Sequence, residues 1–519
     1  MKIREVLLCI SFYILHSEQS KSYDNHYWAG VVEFSSKEAW SNPAASHNNT
    51  MSNLEKYKEI IGSPDAYPVD IMVFPEGTLN SIHTASFVPN PEDNIFACND
   101  PEYEPVVREL SCHARSHQKY LVVNLIEKAP CPEPDDQRPC AKGGLYRFNT
   151  NVIFDRRGVV IARYRKFNLF SEPGINTTVK PEIVKFHTDF GVTFGTFICF
   201  DLMFEKPALK LVQSGVTDII FPTMWFSELP FLTAVQIQQG WAYENNVNLL
   251  AAGASYPQVG STGTGVYAGR RGRIVSIMSH TADIQLFVGK VPKIDATDEV
   301  VMRQPVNKNT PEEMTSLNLK RDQIDGYETS SLPLTSNDEY TKKLCQKDLC
   351  CEFTLNYTVI LPTDPDAQYY SYRLAVHDGN RTFDGHADGI ITTCSVLACT
   401  GERLATCGIR FSNSSPVKNA VQFNSIAISG DFPGGKDVFL VPSNLDTSIL
   451  PLEVTEFDYR HRLSDSHNYV QYNLTNPRSD LLTFAIWGRK FVQSDAGARW
   501  ANGMLVMFAT IFTVLARWI

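Results

Sequence analysis

From about residue 28 to residue 295 the chain alternates short apolar, β-branched runs with longer stretches in which apolar residues recur at helical spacing. The runs fall at 71–74, 120–125, 152–154, 159–163, 193–199, 218–222 and 249–252, and their length and composition predict strands. Between them, 102–117, 207–214 and 232–245 predict helices. Alternation of the two periods predicts an α/β layered domain over 28–295. Residues 296–340 are rich in Asp, Asn, Thr, Pro and Lys and carry no period, which predicts a linker. Beyond it the helical period fades and short strand-like runs recur at 351–360, 369–376, 420–428, 438–441 and 482–487, so a β-rich second domain is expected over 341–490.

The two ends follow a different pattern. A charged start containing Lys2 and Arg4 leads into an apolar run at 6–15, too short to span a bilayer. This predicts a secretory signal peptide over 1–20, cut between about 17 and 22. At the other end 504–516 is nearly all apolar but shorter than the ~20 residues of a spanning helix. It follows a small-residue cluster, Ser494-Asp495-Ala496-Gly497-Ala498, which predicts a lipid (GPI) attachment signal with Ser494 as the attachment residue and 495–519 as the removed tail. Arg517 is out of keeping with such a tail, and a plainly secreted form is the alternative. Six N-x-S/T sequons, at Asn48, Asn176, Asn356, Asn380, Asn413 and Asn473, agree with the secretory route.

Composition narrows the function classes. A net charge of -10, without a long Lys/Arg run, argues against nucleic-acid binding. Of 12 cysteines, Cys9 leaves with the signal peptide and an odd number remains. Cys98, Cys112, Cys131 and Cys140 form an early even set, and Cys345, Cys350, Cys351, Cys394, Cys399 and Cys407 a late one; disulfides are expected within each, and Cys199 is left over. Neither C-x-x-C pairs nor paired histidines support zinc, and His113 and His117 lack a third ligand, so no metal or cofactor is expected.

Cys199 ends an apolar run in Gly195-Thr196-Phe197-Ile198-Cys199-Phe200-Asp201, just before a helix candidate. A strand that turns sharply into a helix holds a side chain at the rim of a sheet, beside backbone N–H groups. Glu76, in Phe74-Pro75-Glu76-Gly77, and Lys166, in Tyr164-Arg165-Lys166-Phe167-Asn168, follow two other runs. Alone, each has a plain reading: buried cysteine, turn glutamate, surface lysine. All three, however, follow apolar runs, and ligand sites of α/β sheets lie beyond the carboxyl ends of strands.

Glu76, Lys166 and Cys199, 90 and then 33 residues apart, resemble the Glu-Lys-Cys triad of the nitrilase superfamily. Gly195 to Phe204, Pro222-Thr223-Met224-Trp225 and Thr262-Gly263-Thr264-Gly265-Val266-Tyr267, with the cysteine-bearing second domain, are similar to its vanin and biotinidase branch. Phe167 and Met224 depart from that branch. The resemblance implies an α-β-β-α sandwich and a secreted or lipid-anchored amidohydrolase that cleaves pantetheine to pantothenate and cysteamine. Release of biotin from biocytin is the enzymatic alternative, and an inactive surface binding protein the alternative from another class.

In the implied chemistry Cys199 is the nucleophile, with its thiol pKa lowered by Lys166, and Glu76 accepts and returns the proton. Lys166 and the Phe200 N–H meet the oxyanion. Trp225 and Tyr267 are expected to touch substrate. Thr262, Thr264, Tyr256 and Tyr267 would serve a hydroxylated acyl group, and Trp225, Phe226 and Phe231 an apolar trough. The partners implied are a small-molecule amide and, through the anchor, a membrane; the sequence leaves the oligomeric state open.

Overall fold

A computed structural model describes residues 19–491 apart from 38–42, 133–135, 137, 141–142, 297–300, 305–308, 311–312, 384, 386 and 412–416. The expected signal sequence up to residue 18, the sequon at Asn413 and the attachment residue Ser494 lie outside the described residues.

Two six-stranded sheets form the first domain. In one, His26–Phe34, Ile71–Val73 and Tyr120–Pro130 run parallel at the centre, with Ile284–Pro292 outside the first of them and Leu145–Phe154 then Val160–Arg165 outside the last. In the other, Thr193–Thr196, Asp218–Thr223 and Asn248–Gly253 are the parallel centre, flanked by antiparallel strands. The sheets share an apolar interior that includes Val31, Val73, Val122, Ile220, Leu250 and Val266. Strands covered on both faces read as unbroken apolar runs, which is why five of these six parallel strands stand out in the sequence, His26–Phe34 being the one not expected.

Helices Pro43–Ile61 and Pro105–His117 cover the first sheet, and Ala234–Asn245 covers the second, giving an α-β-β-α sandwich. The first of these was not legible: half of its buried positions are Ser46, Thr50 and Asn53. The helix expected over 207–214 is regular only across Lys210–Gln213.

The second domain stacks two five-stranded sheets. Its strands include Leu349–Val359 in one sheet and Ser371–Phe383, Ala387–Cys399 and Leu481–Lys490 in the other, and Cys351–Cys394 ties the two sheets together. Four further bridges, Cys98–Cys112, Cys131–Cys140, Cys345–Cys350 and Cys399–Cys407, leave Cys199 as the free, buried cysteine among the described residues.

The two domains share one core, because helix Ala234–Asn245 is covered by the second domain. Gln236 Nε2 donates to Ser443 Oγ at 2.9 Å and Gln239 Nε2 to the Leu452 carbonyl at 2.7 Å. Across the same seam Thr483 Oγ1 donates to the Pro230 carbonyl at 2.8 Å. Part of the stretch expected as a linker, 313–340, takes part in this packing. Met314, Leu317, Ile324, Tyr327 and Leu332 are buried, Lys320–Arg321 pairs with Glu228–Leu229, and Glu328–Ser331 is an edge strand of the second domain. The buried residues are single and irregularly spaced, so no period announces them.

Candidate active site

Glu76, Lys166 and Cys199 come from three strand ends on the same side of the sandwich. After Ile71–Val73 the chain stays in register for one residue, with Phe74 N–H donating to the Val122 carbonyl, then turns at Gly77. Gly77 has φ 65°, a conformation an L side chain rarely adopts, and its N–H donates to Asn124 Oδ1 at 2.8 Å. Lys166 follows Val160–Arg165, two antiparallel steps from Tyr120–Pro130 and therefore parallel to the central strands. Cys199 follows Thr193–Thr196 and has φ 45°, a left-handed backbone in a residue other than glycine, at the start of the 3-10 turn Cys199–Met203. Such strain persists where the surroundings over-determine it.

What holds that turn is Asp201, which is fully buried. Its Oδ2 accepts from Ile198 N–H at 3.1 Å and from the Tyr164 hydroxyl at 2.7 Å. Its Oδ1 accepts from Asn168 N–H at 2.9 Å and Asn168 Nδ2 at 2.8 Å. Tyr164 and Asn168 flank Lys166, so one carboxylate fixes the Cys199 turn to the Lys166 segment. Burial raises the Asp201 pKa to about 6, against the pull of Tyr164, Lys166 and Asn168.

Glu76 Oε1 accepts from Lys166 Nζ at 2.6 Å and from Asn149 Nδ2 at 2.8 Å, and its Oε2 accepts from Met224 N–H at 2.8 Å. On the far side Lys166 Nζ donates to Glu172 Oε1 at 2.5 Å, and Asn149 Nδ2 also donates to Glu172 Oε2 at 2.8 Å. Burial lowers the affinity of Lys166 for its proton, but the charges of Glu172, Glu76 and Cys199 outweigh it and its pKa stands well above the ordinary value. The Cys199 thiol moves upward too: burial raises it most, Glu76 raises it further, and Lys166, the Thr223 hydroxyl and the Met224 N–H oppose without prevailing. This corrects the expectation that Lys166 would leave a lowered thiol pKa. The arrangement sets a thiol beside a fixed carboxylate and a fixed ammonium, a set suited to proton transfer in step with attack on a carbonyl carbon.

Cys199 opens into a narrow pocket whose walls include Phe170, Phe200, Trp225, Phe226 and Phe383. Met203, Met224 and Leu232 complete an apolar lining in which Glu228 is the charged residue. Trp225 lies in this lining, anchored by an indole N–H donated to the Leu232 carbonyl at 2.9 Å. Phe200 contributes its ring to the wall, and its backbone lies in the turn after Cys199.

Tyr267 does not reach the pocket. It is fully buried, with its hydroxyl donating to Gln238 Oε1 at 3.1 Å under helix Ala234–Asn245. The other hydroxyls expected around the glycine-rich loop are likewise engaged in structure. Thr262 donates to Glu33 at 2.7 Å, Thr264 accepts from Gly253 N–H at 3.1 Å, and Tyr256 pairs with Ser36. Phe231 stacks on Tyr327 rather than lining the pocket.

Sequence reasoning passed over Glu172, Asn149, Asp201 and Phe383. A glutamate six residues after Lys166 in an otherwise uncharged loop was the available signal for the first, and the Cys-Phe-Asp order for the third. Nothing local marks Phe383, which arrives from the second domain. Among the expected glycosylation sites Asn48 and Asn380 are exposed, and Asn176, Asn356 and Asn473 are half-buried. Among the described residues no cluster of His, Cys, Asp or Glu has a metal-holding arrangement, and no helix is long and apolar enough to cross a membrane.

Residues 41–284 match the family model described as carbon-nitrogen hydrolase, and residues 317–494 match that of the vanin C-terminal domain. "Vanin-like protein 1" of Drosophila melanogaster is 41% identical over 511 residues, covering 94% of this chain and 90% of the relative. "Pantetheinase" of Sus scrofa is 31% identical over 443 residues, 82% of this chain and 80% of the relative. "Pantetheinase" of Homo sapiens is 34% identical over 352 residues, 66% and 65% of the two chains.

Proposed function

We propose that this chain, which belongs to the vanin family of carbon-nitrogen hydrolases and is an amide-hydrolysing enzyme, cleaves pantetheine to pantothenate and cysteamine with Cys199 as nucleophile. The observation that carries the mechanism is Glu76 bonded to Lys166 at 2.6 Å in a site whose pocket holds the free thiol. Because burial raises the Cys199 thiol pKa, Glu76 takes the proton as sulfur attacks the amide carbon. The C–S bond forms and the carbonyl electrons move onto oxygen, where the Lys166 ammonium and the Phe200 N–H meet the charge. As the carbonyl reforms, the C–N bond breaks and Glu76 returns its proton to the leaving amine. Water, deprotonated by Glu76, then attacks the thioester; the acid leaves and the proton goes back to sulfur. No step needs a cofactor.

Pantetheine is supported by relatives named pantetheinase at 31–34% identity. One observation favours a second reading, the release of biotin from biocytin. The hydroxyls expected to greet a hydroxylated acyl group face elsewhere, while Trp225 and Phe226 form an apolar wall. Parallel assays of released cysteamine and released lysine on the purified ectodomain separate the two, and faster lysine release at equal subsaturating substrate overturns the pantetheine assignment.

The protein acts outside the cell, secreted or held by a lipid on Ser494. Five disulfides support maturation in an oxidising compartment. Phosphatidylinositol-specific phospholipase C should release it from membranes; resistance, with residues 504–519 retained, refutes the lipid anchor.

A further inference from the structure

We propose that Phe383, a residue of the second domain, sets the substrate preference of the site as the apolar wall against which the group next to the scissile bond packs. This rests on the amide-hydrolase reading of the pocket, whichever amide is the natural one.

Phe383 ends the strand Ser371–Phe383, is 3% exposed, and lines the same pocket as Cys199. Its ring meets that of Phe200, the residue after the nucleophile, edge to face at 5.5 Å, and Phe200 meets Phe170 at 5.0 Å. The wall is therefore continuous from the second domain to the loop that follows Lys166.

The ring is held from outside the pocket. Arg381 and Arg489 place their guanidinium carbons 4.4 and 4.9 Å from its centroid. Arg381 is pinned by Glu228 across the domain seam and by Asp322 at 3.0 Å. Gly389 pairs with Arg381 on the neighbouring strand, and a Cβ there would lie 2.9 Å from the Arg489 guanidinium and 3.0 Å from the Phe383 ring. A side chain at that position would push against the Arg489 guanidinium and the Phe383 ring together.

The charge of Glu228 is thus already matched by Arg381, and the remaining walls are aromatic, thioether or aliphatic. Such a pocket favours an uncharged alkyl or thioalkyl group beside the amide and rejects an anion there, whose desolvation nothing repays.

The test reads the pocket without depending on turnover. Cys199 in the full-length secreted protein is alkylated with iodoacetamide and with N-hexyliodoacetamide, and the ratio of the two second-order rates is measured for wild type, Phe383→Leu and Phe383→Ala. Wild type should prefer the hexyl reagent by at least about tenfold. The ratio should fall in Phe383→Leu and approach that of a small free thiol in Phe383→Ala. A wild-type ratio near that of a free thiol, or a preference that survives Phe383→Ala, overturns the proposal. So does an equal loss of both rates, which assigns Phe383 to propping Phe200. Failure of the pantetheine reading shows separately, as absent cysteamine release with the alkylation preference intact.

Discussion

The Lys166 ammonium is shared between two carboxylates, with Glu76 Oε1 at 2.6 Å and Glu172 Oε1 at 2.5 Å. Asn149 bridges the same two acids through one amide nitrogen. A buried cation flanked in this way is fixed in place as well as kept charged, since each partner limits where it moves. The Glu76 carboxylate therefore has its geometry set in advance, and the second acid, Glu172, contributes to this without lining the pocket.

Glu172→Gln should lower kcat by about 10- to 100-fold, the effect of a misplaced reacting group, while KM changes less than about threefold. The amide keeps the shape and removes the charge that holds Lys166. Glu172→Asp should recover part of the loss. Turnover within about twofold of wild type in Glu172→Gln would show that Glu76 alone positions the lysine.

Asp201→Asn should damage both activity and stability. Four donors point at the Asp201 carboxylate, two at each oxygen. An amide offers one acceptor oxygen and turns the other end into a donor, leaving buried groups unpaired at ~1–3 kcal/mol each. The Cys199 turn would lose its tie to Tyr164 and Asn168. A lower melting temperature with slower alkylation of Cys199 is expected, and an unchanged alkylation rate would separate the turn from this anchor.

Peptide mapping should recover five bridges and a single site of alkylation at Cys199 in the folded protein. Of the five, Cys351–Cys394 closes the longest loop, with 43 residues of separation. Chain entropy makes its removal the most costly, about 4 kcal/mol. Serine replacement of that pair should depress the melt more than replacement of Cys345 and Cys350, which lie five residues apart. The reverse order would place the stabilisation in local packing.

The parts of this site that were legible are those whose signal is local. Glu76, Lys166 and Cys199 each follow an apolar run; for Glu76 and Cys199 the run is a parallel strand buried on both faces, and for Lys166 it is the edge strand Val160–Arg165. Helix Pro43–Ile61 was hidden because Ser46, Thr50 and Asn53 occupy buried positions that a hydrophobic period would need. The polar stretch 313–340 concealed its packing for a related reason: Ile324 and Tyr327 are buried one at a time. Tyr267 was misread because hydroxyl content near a glycine-rich loop does not fix which way a strand faces, and a shift of one residue reverses it. Phe383 depends on a contact with Phe200 across 183 positions of sequence, which no local pattern encodes.

The pH behaviour of Cys199 separates a resting thiol from a resting thiolate. Burial and the neighbouring Glu76 raise its pKa above the ordinary 9.0, so between pH 6 and 9 the thiolate fraction is small and grows about tenfold per pH unit. The alkylation rate should climb with that slope and show no plateau below pH 9. Turnover should not follow the same climb, because Glu76 removes the proton during attack. Stability gives an independent reading of the same shift. Below the unfolded pKa both states carry the proton and the favourable contribution is complete. Above it the unfolded thiol ionises while the folded one does not, so stability is lost progressively as pH rises from about 9 toward the folded pKa. Cys199→Ser does not ionise in this range and should be spared that loss, as well as being inactive. Denaturant melts of the two proteins at pH 7 and pH 10 measure the difference, which should widen at the higher pH in favour of the serine variant. An alkylation plateau below pH 8, with no widening between the melts, would mean that Lys166 prevails and that the nucleophile waits as a thiolate.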